Sequence, residues 1–274
     1  MSELKLPELV RKDISGISFF TDDTLFANTG TRIAFTMRHG GVSEGKFASL
    51  NLGIHVDDLE SCVLENRKLA LQAIGAPSDI KLVCPNQVHG KHVTAITSYE
   101  GSGFDESCAE AREGADALVV TCKDVCAMLC YADCTPIILV APNGAFAVIH
   151  AGWRGVVSRI AQVAAKNLCD LANVDPCTLN AYIGPYIHEE CFEVGNDTYR
   201  IFEEEFFDCR DSVCKNGTHV NLGTAIASTL LGCGLEDDRI LDLDACTVCN
   251  DGKFFSYRAS GGKCGRHAAM AFRR

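Results

Sequence analysis

Residues 127–155 read AMLCYADCTPIILVAPNGAFAVIHAGWRG, and this stretch decides the fold. Its apolar runs Ala127–Ala132, Pro136–Val140 and Ala145–His150 read as strands. The Pro142-Asn143-Gly144 turn makes the last two a hairpin, and Ala117–Thr121 adds a strand upstream. Beyond Gly155 the period changes. Val156, Ile160, Val163, Ala164, Leu168 and Leu171 mark one face of a helix that runs to about Ala172.

Working outward, Asp57 and Asp58 are placed to cap a helix with Leu59, Val63, Ala70 and Ile74 on one face, stopped by Gly75. Short strands are expected at Leu82-Val83 and Val93–Ile96. A helix over Asp197–Asp208 carries Glu203-Glu204-Glu205 on a solvated face, and another covers Leu222–Leu231, with Leu222, Ile226 and Leu230 at four-residue spacing. No repeat or low-complexity linker divides the chain. Strands in the middle with helices on either side predict an α/β (α+β) fold, a single-domain layered sandwich over residues 1–274 in which mixed β-sheets are covered by helices.

Composition narrows the function. The 274 residues carry 25 Lys plus Arg against 36 Asp plus Glu, a formal net charge of −11, with no basic cluster. Nucleic acid and anionic membranes are therefore poor partners, and a small molecule is the better expectation. No apolar run reaches the length of a membrane span, and Met1 to Asp13 lacks the apolar core of a secretory signal, so a cytoplasmic location is expected. The oligomeric state is not legible. Sixteen cysteines are an unusual load, but size and the missing signal disfavour a disulfide framework.

Some of those cysteines invite a metal. Cys122, Cys126, Cys130 and Cys134 recur every four residues, which on a helix would make a soft site. On extended chain, residues four apart stand about 13 Å apart, too far to share an ion with bonds near 2.3 Å. Cys246-Thr-Val-Cys249 is a CxxC, which can be half a zinc site or a redox pair, but no second CxxC follows and no helix N-terminus is evident to acidify it, so two strand or turn thiols are expected there.

Cys134 ends one expected strand and His150 ends another two strands later, so both reach one edge of a sheet. The pair could be a nucleophile with its base, or two ligands of a metal. Gln87-Val-His89-Gly90, in the loop between two strands, offers a third ligand, and a His2Cys set leaves a fourth position for water or substrate. Arg154 precedes a helix, where a guanidinium and free N–H groups suit an anion such as phosphate. Arg38 before Gly40-Gly41 and Arg258 before Gly261-Gly262 are candidates for the same work, and Asn51 for a ribose hydroxyl or base edge. Asp116 and Asp133 are candidates for orienting a ligand or for acid–base chemistry.

At these residues the chain resembles the bacterial laccase-domain proteins, often labelled polyphenol oxidases and assigned as purine nucleoside phosphorylases. The resemblance rests on Arg38-His-Gly-Gly-Val-Ser43, Ser49-Leu-Asn-Leu-Gly-Ile-His-Val56, Glu65-Asn-Arg67, Gln87-Val-His-Gly90, Ala115-Asp-Ala-Leu118, Ala132-Asp-Cys-Thr-Pro136, His150-Ala-Gly-Trp-Arg-Gly155, Ile183-Gly-Pro185, Phe192-Glu-Val-Gly195, Cys246-Thr247 and Phe254-Phe-Ser-Tyr-Arg258. Ala259 departs from the pattern, standing where a second arginine is usual. The resemblance implies a zinc ion on His89, Cys134 and His150. It also implies phosphorolysis of adenosine, inosine and methylthioadenosine to free base and ribose 1-phosphate, with adenosine deamination beside it.

Besides a non-catalytic module in which zinc only staples strand ends, two enzymatic readings stand against this one. The first is a metal-free Cys–His hydrolase or deamidase with Cys134 as nucleophile and His150 as base. The second is a copper-dependent phenol oxidase, the weakest of the three. A multicopper oxidase needs about ten histidines, mostly in His-x-His pairs, and this chain has eight with no such pair. The usual zinc-deaminase signature is missing too, because His188-Glu-Glu190 has no Pro-Cys-x-x-Cys partner.

Overall fold

The computed structural model describes residues 3–250 and 252–274. Two six-stranded mixed sheets carry the fold. In spatial order the first sheet holds Val10–Ile14 (β1), Ile17–Thr21 (β2), Thr31–Thr36 (β3), His267–Arg273 (β14), Val125–Tyr131 (β7) and Lys81–Val83 (β4). The second holds Ile240–Asp242 (β13), Asn180–Ile183 (β10), Thr135–Val140 (β8), Phe146–Ala151 (β9), Ala117–Val120 (β6) and Val93–Ile96 (β5). A small hairpin pairs Cys214–Lys215 (β11) with His219–Val220 (β12). The helices are Asp23–Thr29 (α1), Glu60–Ala73 (α2), Ser102–Gly114 (α3), Trp153–Val157 (α4), Ile160–Ala172 (α5), Asn196–Glu205 (α6), Arg210–Val213 (α7) and Leu222–Gly232 (α8).

Side-chain alternation sets the layers. On β7, Val125, Ala127, Leu129 and Tyr131 meet Phe146 and Val148 of β9 and Ile138 and Val140 of β8 in a core between the sheets. The opposite face of β7, Cys126 and Met128, packs with Ala268, Met270 and Phe272 of β14 against Ala70 and Ala73 of α2. On the far side, Ile137, Leu139, Ala147, Ile149 and Ala151 lie under α5 and α8. The result is a helix–sheet–sheet–helix sandwich whose central strands are buried on both faces, which is why β7, β8 and β9 read as continuous apolar runs.

The predicted hairpin closes at Gly144, whose N–H donates to Ala141 O at 2.8 Å. Three elements differ from the sequence pattern. Helix α2 begins at Glu60 with no side-chain cap, because Asp58 Oδ2 is taken by Ser43 Oγ and Asn51 Nδ2. The helix expected from Val156 starts at Trp153 and breaks at Arg159, where φ is +60°. The Arg159 guanidinium is drawn to Thr229 Oγ1 on α8 (2.9 Å) and lies over the Phe206 ring, contacts that no local pattern encodes. The helix expected to reach Asp208 stops at Glu205 and gives way to a 3-10 turn over Phe207–Cys209. Strand β14 escapes the sequence reading for a simple reason. His-Ala-Ala-Met-Ala-Phe-Arg has a helix former at nearly every position, and tertiary pairing with β3 and β7 overrides that propensity.

Candidate functional site

His150 occupies the same face of β9 as Phe146 and Val148, so it points between the two sheets near the end of its strand. Cys134 follows a turn in which Asp133 takes φ +84°, and leads directly into β8. His89 comes from the connection that crosses from β4 in one sheet to β5 in the other, and it too has a positive φ, +59°. The Gln87 amide holds that connection to β7: Nε2 donates to Cys130 O and Oε1 accepts from Cys130 N–H, each at 2.8 Å. The ligand atoms of His89, Cys134 and His150 lie within 4.8 Å of one another, and the two imidazoles meet edge to face.

Asp116 organises the cluster. It is fully buried; Oδ1 accepts from His150 Nδ1 at 2.8 Å and His89 N–H at 3.0 Å, and Oδ2 accepts from Gly90 N–H at 2.6 Å. Placing the His150 proton on Nδ1 turns Nε2 toward the cluster. Burial alone would raise the Asp116 carboxyl, but the His150 and backbone donors hold it below the ordinary carboxylate range. Burial likewise pushes the Cys134 thiol up, and the two imidazoles more than reverse this, bringing it down to about 6. In His150 the burial effect is downward and is overcome by Cys134 and Asp116, so the ring sits up at about 9. Each group of the metal-free pair thus favours the charged form of the other.

Gly152 leaves room for this packing. A Cβ there would stand 2.8 Å from His89 Cδ2 and 3.3 Å from Cys134 Sγ. Two imidazole nitrogens and one thiolate suit a borderline-soft ion such as Zn2+ in a three-ligand site with an open position. The residues fit zinc. They do not fit a multicopper centre, since no group of convergent ligands among the described residues contains more than two histidines.

The cluster forms part of the wall of a cavity of about 1030 Å³, large enough for a nucleotide-sized ligand. Arg67, Arg112, Arg258 and Arg266 line it together with Phe192 and Tyr257. Arg258 is anchored on three sides. Its N–H donates to Asp133 Oδ2, and its guanidinium donates to Cys191 O at 3.1 Å and Glu193 O at 3.0 Å. Asp133 Oδ1 also accepts from Thr247 Oγ1, so this residue ties two distant loops to the Cys134 turn.

Of the other residues singled out by the sequence, three stand outside this cavity. Asn51 is fully buried: Oδ1 accepts from Gly53 and Arg266 N–H, and Nδ2 donates to Gly53 O and Asp58, leaving nothing for a ligand. Arg38 lies over the Phe255 ring and donates from Nε and Nη2 to Ala48 O. Arg154, at the start of α4, is exposed and stacked on Trp153, 4.3 Å from the ring centroid. The sequence reading passes over Arg112 and Arg266. Arg67 had a signal, since it belongs to the Glu65-Asn-Arg67 segment.

A profile of the family described as multi-copper polyphenol oxidoreductase laccase matches residues 32–274. Over 252 residues the chain is 33% identical to the purine nucleoside phosphorylase YlmD of Geobacillus stearothermophilus, covering 89% of this chain and 91% of that protein. Over 249 residues it is 34% identical to adenosine deaminase RL5 from an unknown prokaryotic organism, covering 88% and 94%. Among solved structures, the Bacillus licheniformis hypothetical protein YfiH is similar with a TM-score of 0.84 at 25% identity, covering 96% of this chain and 99% of that one.

Proposed function

The chain belongs to the multi-copper polyphenol oxidoreductase laccase family, and from that premise we propose that it is a zinc-dependent purine nucleoside phosphorylase with an adenosine deaminase side activity. The observation that carries the proposal is the convergence of His89, Cys134 and His150 on the wall of an arginine-lined cavity. Relatives named purine nucleoside phosphorylase and adenosine deaminase support the two reactions at the level of the family.

In this reading His89, Cys134 and His150 hold the ion, and Asp116 fixes the His150 tautomer and the His89 loop. Zinc bound there would supply a Lewis acid that polarises a substrate atom and acidifies water. Phosphate falls to the guanidinium groups of the cavity wall, Arg67, Arg258 and Arg266, since Arg38 and Arg154 stand elsewhere. Their positive charge holds the phosphate dianion against the ribose anomeric carbon, so that attack becomes effectively intramolecular. Phe192 and Tyr257 offer aromatic faces to the purine. Substrates are small purine nucleosides and phosphate, and the protein works in the reducing cytoplasm, where its sixteen cysteines form no disulfides. No helix among the described residues is long and apolar enough to cross a membrane.

The test is chromatography of adenosine incubated with zinc-loaded protein, with and without phosphate, beside His89→Ala and Cys134→Ala. Adenine that requires phosphate and is lost in both variants is the expected result. Inosine formed without phosphate would move the main activity to deamination. Untouched adenosine, inosine and methylthioadenosine would sink the nucleoside assignment. Stoichiometric iodoacetamide sensitivity with indifference to chelators would then favour the Cys134–His150 hydrolase, and oxygen uptake with a phenol the copper oxidase.

A further inference from the structure

Cys246 and Cys249 do not stand as two isolated turn thiols. The Cys246–Cys249 turn packs against the 188–192 turn: Tyr186 bridges Cys246, Thr247 N–H donates to Tyr186 O at 2.9 Å, and His188 N–H donates to Cys246 Sγ. This brings Glu190 and Cys191 to the CxxC. Cys191 Sγ lies 3.4 Å from Cys249 Sγ, and Cys249 Sγ lies 3.5 Å from Glu190 Oε1. All four ligating atoms, from Glu190, Cys191, Cys246 and Cys249, fall within 4.8 Å of one another.

We propose that these residues form a second metal site, a Cys3Glu site for a zinc-type divalent cation, separate from the His89–Cys134–His150 cluster. A tetrahedral ion with bonds of about 2.3 Å to sulfur sets neighbouring sulfurs about 3.8 Å apart, and here Cys191 and Cys249 stand at 3.4 Å with all four ligand atoms inside 4.8 Å, so small side-chain shifts suffice to close the site on an ion. Three thiolates select a thiophilic ion over magnesium or calcium. Four protein ligands close the coordination sphere, so the site is structural. Cys246 is buried while Cys249 and Glu190 are exposed, leaving the ion a path in from solvent.

The placement says what the ion stabilises. The two turns lack regular secondary structure over the ligands, and each continues into the cavity wall. Phe192 lines the cavity directly after Cys191, and Thr247, directly after Cys246, donates to Asp133 beside Cys134. Arg258 donates to Cys191 O and to Asp133 from its other end. A cation holding Cys191 to Cys246 and Cys249 therefore fixes the aromatic and guanidinium wall.

The experiment measures zinc per chain in the full-length protein, reduced, loaded with zinc and desalted. Cys249→Ser and Cys191→Ser are each expected to lose one equivalent relative to wild type. The His89→Ala/Cys134→Ala variant is expected to keep that equivalent. Should the serine variants fail to fold, cobalt(II) added to the His89→Ala/Cys134→Ala protein gives an independent readout, namely an intense thiolate-to-cobalt charge-transfer band with tetrahedral d–d absorption. Zinc content unchanged by both serine substitutions overturns the proposal. So does a cobalt complex without the charge-transfer band, or a Cys191–Cys249 disulfide in the non-reduced peptide map of the zinc-loaded protein. None of these readouts depends on enzymatic activity, so the second site and the nucleoside assignment stand or fall separately.

Discussion

Replacing Gly152 by alanine adds one methyl group at the point where the two histidines and Cys134 converge. The backbone accepts it, since φ −68° and ψ 165° are ordinary extended values. The space does not. The new Cβ would stand 2.8 Å from His89 Cδ2 and 3.3 Å from Cys134 Sγ, against ordinary carbon contacts of about 3.5–4.0 Å. His89 is exposed and sits on a loop, so its ring is the group that yields, and in yielding it withdraws its nitrogen from the cluster. Overpacking of this size costs about 1–3 kcal/mol. Because the metal-free protein relieves it by swinging the ring outward, the cost falls on the zinc-bound state and weakens zinc binding about five- to 150-fold. The metal-free melting temperature should move by no more than about 2 °C. Competition against a fluorescent zinc chelator measures the first quantity, and calorimetry of the chelator-treated protein the second. Wild-type zinc affinity in Gly152→Ala would refute the reasoning, because the His89 ring would then not need the clearance that glycine provides.

Three further perturbations test other parts of the site. Asp116→Asn keeps the shape but replaces an acceptor of four N–H groups by a mixed amide, and zinc affinity should fall about 10- to 100-fold; an unchanged affinity in the same competition assay would show that Asp116 does not orient His150. Arg266→Ala should raise the KM for phosphate about tenfold or more, while Arg154→Ala, outside the cavity, should change it less than about twofold; the reverse order would return phosphate to α4. His267 is buried, and neither ring nitrogen finds a hydrogen-bond partner of good geometry among the described residues. Burial, with the charges of Arg266 and Arg38, holds it down to about 3. Its proton binds the unfolded chain near pH 6.5 but not the folded one, so stability falls as pH drops from 6.5 toward 3, by about 3 kcal/mol at pH 4.5. Denaturant melts of His267→Phe should lack that part of the slope, and identical pH slopes in the two proteins would contradict it.

Much of this was legible along the chain. Strands β7, β8 and β9 announce themselves as apolar runs because the sandwich buries both of their faces. Gly75 stops α2 in the left-handed conformation that its sequence position suggested. Cys134 and His150 stood out because each lies at the end of an apolar strand, and His89 because its Gln-Val-His-Gly segment sits in the loop between two strands. What escaped had strong non-local partners. Asn51 looked free to bind a ligand, yet its amide joins Gly53, Asp58 and Arg266, and Arg266 is 215 residues away. Arg154 looked aimed at an anion, yet α4 carries it to the surface.

By itself, then, the sequence determined the layered α/β class, four of the eight helices among the described residues (α2, α5, α6 and α8), the strands β4 to β9, and the residues of one candidate metal centre. Those features follow from local period, glycine punctuation and donor chemistry, which neighbouring residues express without help from the rest of the chain. The tertiary structure alone decided which arginines face the cavity, that α4 and α5 part at Arg159, and that Cys191 reaches the CxxC 58 residues further on. Each of these depends on how two twisted sheets stack and where their loops are thrown together. That is a property of packing between distant segments, and no short window of sequence contains it.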